Sequence, residues 1–260
     1  MGRDAVLVTG ASSGIGEQLA RRLACERRDL VLVARRVDRL EELAATLRAQ
    51  HGVAVDVVPQ DLGAPGGPDA LVAELAQRGL DVDWLVNNAG FGTSGPFFRL
   101  PVEREVEQVR LNMRAPVALA GRLLPGMVAR GRGLVMNVAS VAGYGPMPYT
   151  ATYAATKAFL IAWSEALAVE MEGTGVRVLC VCPGFTRTEF QAVAKAKTDM
   201  VPAFAWMSAE AVADQAVRAA KGRSGVLVNG LLNNLMTVGM RLAPRRLLAR
   251  VTAGAMRGRL

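Results

Sequence analysis

The chain has 260 residues, of which 51% are hydrophobic and 21% charged, a composition typical of a globular domain with a substantial core. Its net charge of +8 is unevenly placed, because nine Lys and Arg residues and no acidic residue follow Asp214. The preceding part holds 22 basic and 23 acidic residues, and this balance argues against a body that binds nucleic acid.

The sequence carries no feature of an exported or membrane-spanning protein. No apolar run reaches the roughly 18 residues that a membrane-spanning helix needs, and the first residues lack the architecture of a signal peptide. The three cysteines form no disulfide framework, and no His, Cys or carboxylate cluster has metal-ligand spacing. We therefore expect a cytoplasmic protein with reduced thiols and no metal site.

Apolar segments rich in Val and Leu alternate regularly with amphipathic helical patterns along the chain. Strands are predicted at residues 5–9, 30–34, 53–58, 82–86, 133–139, 176–182 and 225–228. Helices are predicted near residues 15–27, 37–50, 68–79, 102–130, 151–172 and 208–221. Near-continuous apolar strands are typical of parallel sheets with helices on both faces. The pattern predicts a single α/β domain over residues 1–230, with a doubly wound parallel sheet of about seven strands, a Rossmann fold.

The first predicted strand runs into a glycine-rich turn, TGASSGIG at residues 9–16, and then into an amphipathic helix. Its glycines would permit a tight turn and let backbone N–H groups at the helix start approach a pyrophosphate. Their spacing differs from the usual G-x-G-x-x-G, so a turn that merely packs helix on strand is an alternative. The strand–turn–helix order favours dinucleotide binding.

Two arginines at the end of the second strand indicate which dinucleotide is bound. A dinucleotide fold usually has an acidic residue there for the ribose 2′-hydroxyl, whereas this chain has Arg35 and Arg36. A guanidinium can hold a 2′-phosphate through two hydrogen bonds. The alternative is a solvated basic surface, although the start of a helix disfavours cations. The pair predicts NADP(H) rather than NAD(H).

Tyr153 and Lys157 are four residues apart, so that on a helix they share one face. A nearby ammonium favours the phenolate and lowers the pKa of a tyrosine from its ordinary value of about 10. Such a phenol can exchange a proton with an oxygen atom that is being reduced or oxidised. An ordinary surface Tyr–Lys pair is the alternative.

Three further motifs occur in register with these: NNAG at residues 87–90, Ser140 after the fifth strand, and PGFTRT at residues 183–188. The ordered set resembles the classical short-chain dehydrogenases/reductases over the chain to about residue 228. The resemblance implies a Rossmann-fold catalytic domain and a catalytic tetrad of Asn112, Ser140, Tyr153 and Lys157.

The resemblance also implies a role for each site residue. Ser140 would hold the substrate oxygen, Lys157 would also bind the nicotinamide ribose, and Asn112 would hold a water in a proton relay. With the turn and the two arginines included, the predicted cofactor-binding residues are Gly10, Ser12, Ser13, Gly14, Ile15, Gly16, Arg35, Arg36, Asp61, Leu62, Asn88, Ala89, Gly90, Tyr153, Lys157, Pro183, Gly184, Thr186 and Thr188. Asn87 is as well suited to bracing the sheet as to touching a ligand.

These expectations describe an NADP(H)-dependent oxidoreductase that acts on a small carbonyl compound or secondary alcohol. The alternative is a non-catalytic NADP(H)-binding sensor or scaffold that keeps the fold. The resemblance further suggests a homodimer or homotetramer, in which helices 102–130 and 151–172 form a shared bundle.

Residues 189–207 occupy the segment through which members of the family vary their substrates. Its large apolar side chains are Phe190, Met200, Val201, Phe204, Trp206 and Met207. A lid with these groups would suit a hydrophobic substrate that is lipid-like, steroid-like or aromatic. They could equally pack the segment onto the body.

Residues 231–260 form a basic extension with two amphipathic patterns on either side of Pro244. In the first pattern, Leu231, Leu235, Val238 and Leu242 lie opposite Asn233, Asn234, Thr237 and Arg241. In the second, Leu247, Leu248, Val251 and Ala255 lie opposite Arg245, Arg246, Arg250 and Arg257. Such helices can lie on an anionic membrane, or they can cap the body or a subunit interface.

We favour the packed arrangement and expect the leucines of the extension to be buried against protein. The extension also resembles those of a branch of the family that includes proteins labelled DltE-like, which points to lipid-like substrates.

Overall fold

The protein is built around a sheet of seven parallel strands. They are β1 Arg3–Thr9, β2 Leu30–Ala34, β3 Val55–Pro59, β4 Leu80–Asn87, β5 Gly133–Val138, β6 Val176–Cys182 and, after two short strands β7 Thr186–Arg187 and β8 Met207–Ser208, β9 Gly225–Val228. The sheet order is β3-β2-β1-β4-β5-β6-β9. This computed structural model describes residues 2–194, 201–222 and 224–257. The strand order reverses between β1 and β4, where the carboxyl ends of the strands open a crevice.

Helices cover both faces of the sheet. They are α1 Gly14–Cys25, α2 Val37–His51, α3 Gly67–Gln77, α4 Val102–Val109, α5 Ala115–Ala129, α6 Ala151–Glu170, α7 Phe190–Val193, α8 Ala209–Ala220, α9 Leu231–Leu242 and α10 Arg245–Arg257. Alternate strand residues enter two separate cores: Val6 and Val8 pack with α1, α2 and α8, while Ala5 and Leu7 pack with α3, α5 and α6. The predicted doubly wound α/β fold is confirmed.

The helix predicted over residues 102–130 is wrong in one respect, because it is interrupted. A π-helical turn, Arg110–Arg114, separates α4 from α5. Such a turn changes the rotation of the helix and often lies at a functional site. Here it contains Asn112, which is buried and whose amide bonds to Phe91 and Thr156 on other segments.

The C-terminal extension contacts the body through its polar face. On α9, Asn233 Nδ2 donates to the carbonyl of Asn229 at 2.7 Å, and Thr237 is buried. The guanidinium of Arg241 lies 4.8 Å from the ring centroid of Tyr144. On α10, Thr252 Oγ1 donates to the carbonyl of Pro146 at 3.1 Å.

The sequence favoured burial of the leucines of the extension against the body, and this is wrong for those that the structure describes except Leu248, which is half-buried. Leu231, Leu235, Val238 and Leu242 are exposed, as are Leu247 and Val251. The physical reason is that polar side chains of α9, including Asn233 and Asn234, bond to backbone carbonyls around the end of β9 and turn the polar face inward. The side chains of Ala255 and Arg257 lie outside the described part of the chain. No described helix combines the length with the hydrophobicity that a membrane span needs.

Candidate active site

The carboxyl ends of the central strands surround a cavity of about 730 Å³. Among the residues predicted to form the site, all line this cavity except Gly16 and Asn112. These two lie immediately behind its wall, so one place in the fold brings together motifs that are spread over about 180 residues of sequence.

The glycine-rich turn is fixed by close contacts that only glycine permits. Gly10 and Gly14 have φ of +67° and +60°, in the left-handed region. A Cβ on Gly16 would lie 2.4 Å from both the Gly10 carbonyl oxygen and Asn88 Nδ2. Gly16 therefore serves the packing of α1 on β1.

Asn88 braces this turn from the neighbouring strand. Its Nδ2 donates to the carbonyl of Thr9 at 2.9 Å, and the hydroxyl of Thr9 accepts from the backbone N–H groups of Asn88 and Ala89, each at 3.0 Å. Asn87 braces the sheet in turn, since its Nδ2 donates to Asn137 Oδ1 at 2.9 Å. The predicted contact of Asn88 with a cofactor stays a prediction.

The start of α1 is suited to an anion. Ser13 is the N-cap residue, but its side chain accepts no capping hydrogen bond, so the first N–H groups of the helix do not donate to it. Arg36 donates to Ser12 Oγ at 3.1 Å and to Ser13 Oγ at 2.7 Å. Backbone N–H groups, serine hydroxyls and a guanidinium at a helix start form a donor set that fits phosphate groups.

Three arginines lie at or next to the adjoining end of the cavity, each beside a carboxylate. The guanidinium of Arg36 lies 2.8 Å and that of Arg39 2.6 Å from the carboxylate of Glu189. Their hydrogen bonds, that of Arg39 first, lower the pKa of Glu189 to about 2. Arg35 lies 3.8 Å from Asp61. Sequence reasoning missed Arg39, although its position one helical turn after Arg36 was a usable signal.

The four residues of the predicted tetrad meet where β4, β5 and α6 approach each other. Asn112 Nδ2 donates to the carbonyl of Phe91 at 2.9 Å and to Thr156 Oγ1 at 3.1 Å. Lys157 Nζ donates to the carbonyl of Val138 at 2.7 Å. A Cβ on Gly90 would lie 2.9 Å from Asn112 Oδ1, so this glycine permits the close approach of Asn112.

Tyr153 and Ser140 face the cavity beside Lys157. Lys157 Nζ lies 5.7 Å from the ring centroid of Tyr153. The hydroxyl of Ser140 accepts a hydrogen bond from the N–H of Ala142 at 3.1 Å, which fixes its side chain. A phenol, a hydroxyl and a buried ammonium are thus grouped around one part of the cavity.

The electrostatics of the pair differ from the sequence expectation. Burial raises the pKa of Tyr153 to about 12, and a hydrogen bond with Ser140 opposes this rise. Burial also shifts the pKa of Lys157, but downward, to about 8. The predicted lowering of the Tyr153 pKa is therefore wrong for this structure, because desolvation disfavours the charged form of both groups.

The loop after β6 forms the opposite wall of the cavity. The carbonyl oxygen of Pro183 accepts a hydrogen bond from the N–H of Val141 at 3.0 Å. Thr186 Oγ1 donates a hydrogen bond to the carbonyl of Gly184 at 3.1 Å. A Cβ on Gly14 would lie 3.1 Å from Thr188 Cγ2, which places Thr188 beside the start of α1.

Only part of the predicted hydrophobic lid lines the cavity. The ring of Phe190 packs on Tyr153, with centroids 5.1 Å apart. Trp206 instead packs on Phe185 at 5.5 Å, Val201 is buried away from the cavity, and Phe204 is exposed. Met200 lies outside the described residues.

The structure adds an apolar wall, of whose residues the sequence pattern singles out only Leu248. It comes from the inner faces of α9 and α10 and consists of Met236, Met240, Leu248, Thr252 and Met256. Within each helix these residues recur every four positions, which was a signal for one shared face.

Comparison with known proteins agrees with this arrangement. Residues 4–199 match the family model for short chain dehydrogenases. The very-long-chain 3-oxoacyl-CoA reductase of Pyrenophora tritici-repentis (strain Pt-1C-BFP) is 37% identical over 193 residues, which are 73% of this chain and 57% of that protein. The chain thus spans less than two thirds of the length of this curated relative.

Solved structures resemble the chain over most of its length. A short-chain dehydrogenase from Sphingobium yanoikuyae, in complex with NADPH, is 34% identical to this chain and superposes with a TM-score of 0.81. The match covers 93% of this chain and 96% of the Sphingobium chain. L-Sorbose reductase from Gluconobacter frateurii, complexed with NADPH and L-sorbose, is 33% identical with a TM-score of 0.76, covering 89% and 97%. By the match of residues 4–199, the protein belongs to the short-chain dehydrogenase family of nicotinamide-dependent oxidoreductases.

Proposed function

We propose that the protein is an NADP(H)-dependent oxidoreductase that transfers a hydride between the nicotinamide and a carbonyl or secondary alcohol of a hydrophobic substrate. The observation that carries this proposal is the grouping of Tyr153, Ser140 and Lys157 around the cavity that the glycine-rich turn and the arginines also line. Residues 1–230 would form the catalytic domain, and residues 231–260 an extension that completes the cavity wall.

The chemistry assigned to the site is proton transfer coupled to hydride transfer. When bound, the cofactor supplies or accepts the hydride. Tyr153, with its pKa raised to about 12, keeps its proton at neutral pH and can donate it to the oxygen of a carbonyl that is being reduced. Ser140 is placed to hold that oxygen through its hydroxyl. Lys157 contributes a positive charge that favours the phenolate left after proton transfer.

Asn112 is assigned a positioning role. Its amide is held by the backbone of Phe91 and the side chain of Thr156 on α6. It thereby ties the π-helical turn to the helix that carries Tyr153 and Lys157. In the family it would also hold a water for proton exchange with solvent.

Selectivity for NADP(H) is supported by the charges at the phosphate end of the cavity. Arg35 and Arg36 line the cavity near the glycine-rich turn, Arg39 shares the carboxylate of Glu189 with Arg36, and a guanidinium binds phosphate well. Two similar solved structures contain NADPH. Glu189 now pairs with two of these arginines, so a bound phosphate would compete with its carboxylate.

The apolar character of the substrate is supported by the cavity wall. Phe190, Met236, Met240, Leu248 and Met256 present aromatic, thioether and aliphatic groups to the cavity. Methionines adapt to flexible apolar chains. The relative from Pyrenophora tritici-repentis carries a name that specifies a very-long-chain 3-oxoacyl substrate. We therefore place long-chain and other bulky apolar ketones first among the candidate substrates.

Turnover on a panel of carbonyl compounds tests this proposal. The panel should contain straight-chain ketones of increasing length, a steroid ketone, an aromatic ketone and a short polar ketose, each offered with NADPH and with NADH. We expect NADPH oxidation that is faster with the long apolar ketones than with the ketose. Tight NADPH binding without turnover on any compound, or on the alcohols in reverse, would instead favour the non-catalytic sensor or scaffold.

A further inference from the structure

The two C-terminal helices present an apolar surface to the outside of the protein. We define this outer face as Leu231, Leu235, Val238 and Leu242 of α9 with Leu247 and Val251 of α10, all of which are exposed. The four residues on α9 are spaced by four, three and four positions, which aligns them in one stripe. Leu235 and Leu242 are 65% and 81% exposed. An exposed apolar stripe along one face of a helix marks a candidate interaction surface.

The orientation of α9 is fixed by bonds on its other side. Asn233 and Asn234 donate to the carbonyls of Asn229 and Val228 at 2.7 and 2.9 Å, and Arg241 lies 3.6 Å from Glu165 of α6. Rotating the helix to bury its leucines would break these bonds and expose the buried Thr237. The stripe therefore stays exposed in the described part of the chain and is open to an external partner.

The charges beside this surface identify that partner. Arg245, Arg246 and Arg250 are exposed and pair with no carboxylate among the described residues. No acidic residue follows Asp214 anywhere in the sequence. An exposed apolar stripe, together with exposed arginines on the same pair of helices, is complementary to a bilayer with anionic headgroups, where apolar side chains enter the acyl boundary and guanidinium groups stay at the phosphates.

We propose that the outer face of α9 and α10 binds the surface of an anionic lipid bilayer. A second copy of the chain is the less suitable occupant. A two-fold contact through this face would bring the same arginine-rich segment of both copies together, and this segment offers no carboxylate to offset the repulsion of like charges.

The outer face lies on the same two helices that line the cavity, so docking on a bilayer would bring the cavity close to the lipid. The inner faces of the same two helices form the apolar wall of the cavity. A protein that docks through the outer face would thus hold its cavity one helix away from the acyl chains. The proposed docking does not depend on the reaction assigned to the site, and the test below measures binding alone.

Flotation of the full-length chain with vesicles tests the proposal. The vesicles should be phosphatidylcholine alone or phosphatidylcholine mixed with phosphatidylglycerol, each at low and high salt. We expect binding to the anionic vesicles that weakens as salt rises, and little binding to the neutral ones. The double substitution Leu235→Gln with Leu242→Gln should abolish binding. Replacing Arg245, Arg246 and Arg250 by Gln should weaken it about a hundredfold, from about fivefold per basic residue.

The matched control is the pair Phe97→Gln with Phe98→Gln, since these side chains are 61% and 82% exposed on a different surface. This variant should bind anionic vesicles like the wild type, and thermal unfolding should show that all variants fold. Three results would overturn the proposal: no binding to anionic vesicles, equal loss of binding in the control pair, or self-association that only the leucine pair abolishes.

Discussion

Replacing Lys157 by Met tests whether the buried ammonium destabilises the folded chain. Lys157 is only 5% exposed, and burial lowers its pKa from 10.5 to about 8. Methionine keeps an unbranched apolar side chain in the same space while it removes the charge. The variant should therefore be inactive and yet more stable than the wild type at neutral pH. This is expected where a functional group lowers the stability of the folded chain.

The size of the effect follows from the pKa shift. A fall from 10.5 to about 8 corresponds to about 3 kcal/mol at 1.36 kcal/mol per unit. The hydrogen bond from Lys157 to Val138, lost in the variant, offsets about 1 kcal/mol of this gain. We expect Lys157→Met to raise the free energy of unfolding by about 2 kcal/mol near neutral pH.

The stability difference between the variant and the wild type should also depend on pH, which gives a second test. Below about pH 8 the lysine is protonated in both the folded and the unfolded chain, so the folded chain carries the full cost of burying the charge. Between pH 8 and 10.5 the unfolded chain keeps the proton that the folded chain has released, and the stability of the wild type rises with pH. The advantage of the variant should shrink across this range.

Urea unfolding of the cofactor-free chain, followed by tryptophan fluorescence at several pH values, measures both quantities. Lys221→Met is the matched control, because Lys221 is exposed and pairs with Glu26 on the surface; it should change stability little and keep activity. The reasoning would be refuted if Lys157→Met were less stable than the wild type at neutral pH. A stability difference that does not change between pH 7 and pH 10 would refute it as well.

The remaining predictions concern the cofactor, the proton and the assembly. NADPH should bind at least tenfold more tightly than NADH, or about 1.4 kcal/mol, and Arg35→Asp should shrink or invert this preference; equal affinities in the wild type would contradict the role of the arginines. Glu189→Gln, which frees Arg36 and Arg39, should tighten NADPH but not NADH in fluorescence titrations. Because the pKa of Tyr153 is raised to about 12, kcat for reduction should stay level through neutral pH while kcat for oxidation rises with pH, and a reductive rate that rises with pH would argue against Tyr153 as the acid. Exposed Val102, Val106 and Val117 on α4 and α5 are expected to enter a dimer or tetramer interface, and sedimentation as a clean 27.5 kDa monomer would contradict this.

The sheet could be predicted from the sequence because its signal is local. Near-continuous Val and Leu segments such as residues 30–34 leave few alternatives to a strand that is buried on both faces, and the turns between them carry their own glycines. The location of the cavity could also be predicted, because motifs at the carboxyl ends of parallel strands come together at one edge of the sheet.

Features that depend on distant partners could not be predicted in this way. The π-helical turn around Asn112 is accompanied by bonds to Phe91 and Thr156, which lie 21 and 44 residues away. The four-residue spacing of Tyr153 and Lys157 indicated proximity, but the pKa values depend on burial, which the spacing does not reveal.

The extension shows the same limit for a helix. The spacing of Leu231, Leu235 and Leu242 revealed an apolar stripe, but an amphipathic pattern does not state which face packs on the protein. The packed face is set by Asn233 and Asn234, which donate hydrogen bonds to carbonyls at the end of β9. The usual preference for apolar burial therefore predicted the wrong face.

The central claim is that Tyr153 transfers the proton in an NADPH-dependent reduction, and Tyr153→Phe tests it most directly. The measurement is the rate of NADPH oxidation with the best ketone of the panel, together with the Kd for NADPH, for this variant and for Tyr144→Phe as the control tyrosine of the same domain. We predict that Tyr153→Phe binds NADPH nearly as well as the wild type but loses turnover by at least about a hundredfold, while Tyr144→Phe retains it. Wild-type rates in Tyr153→Phe would contradict the account.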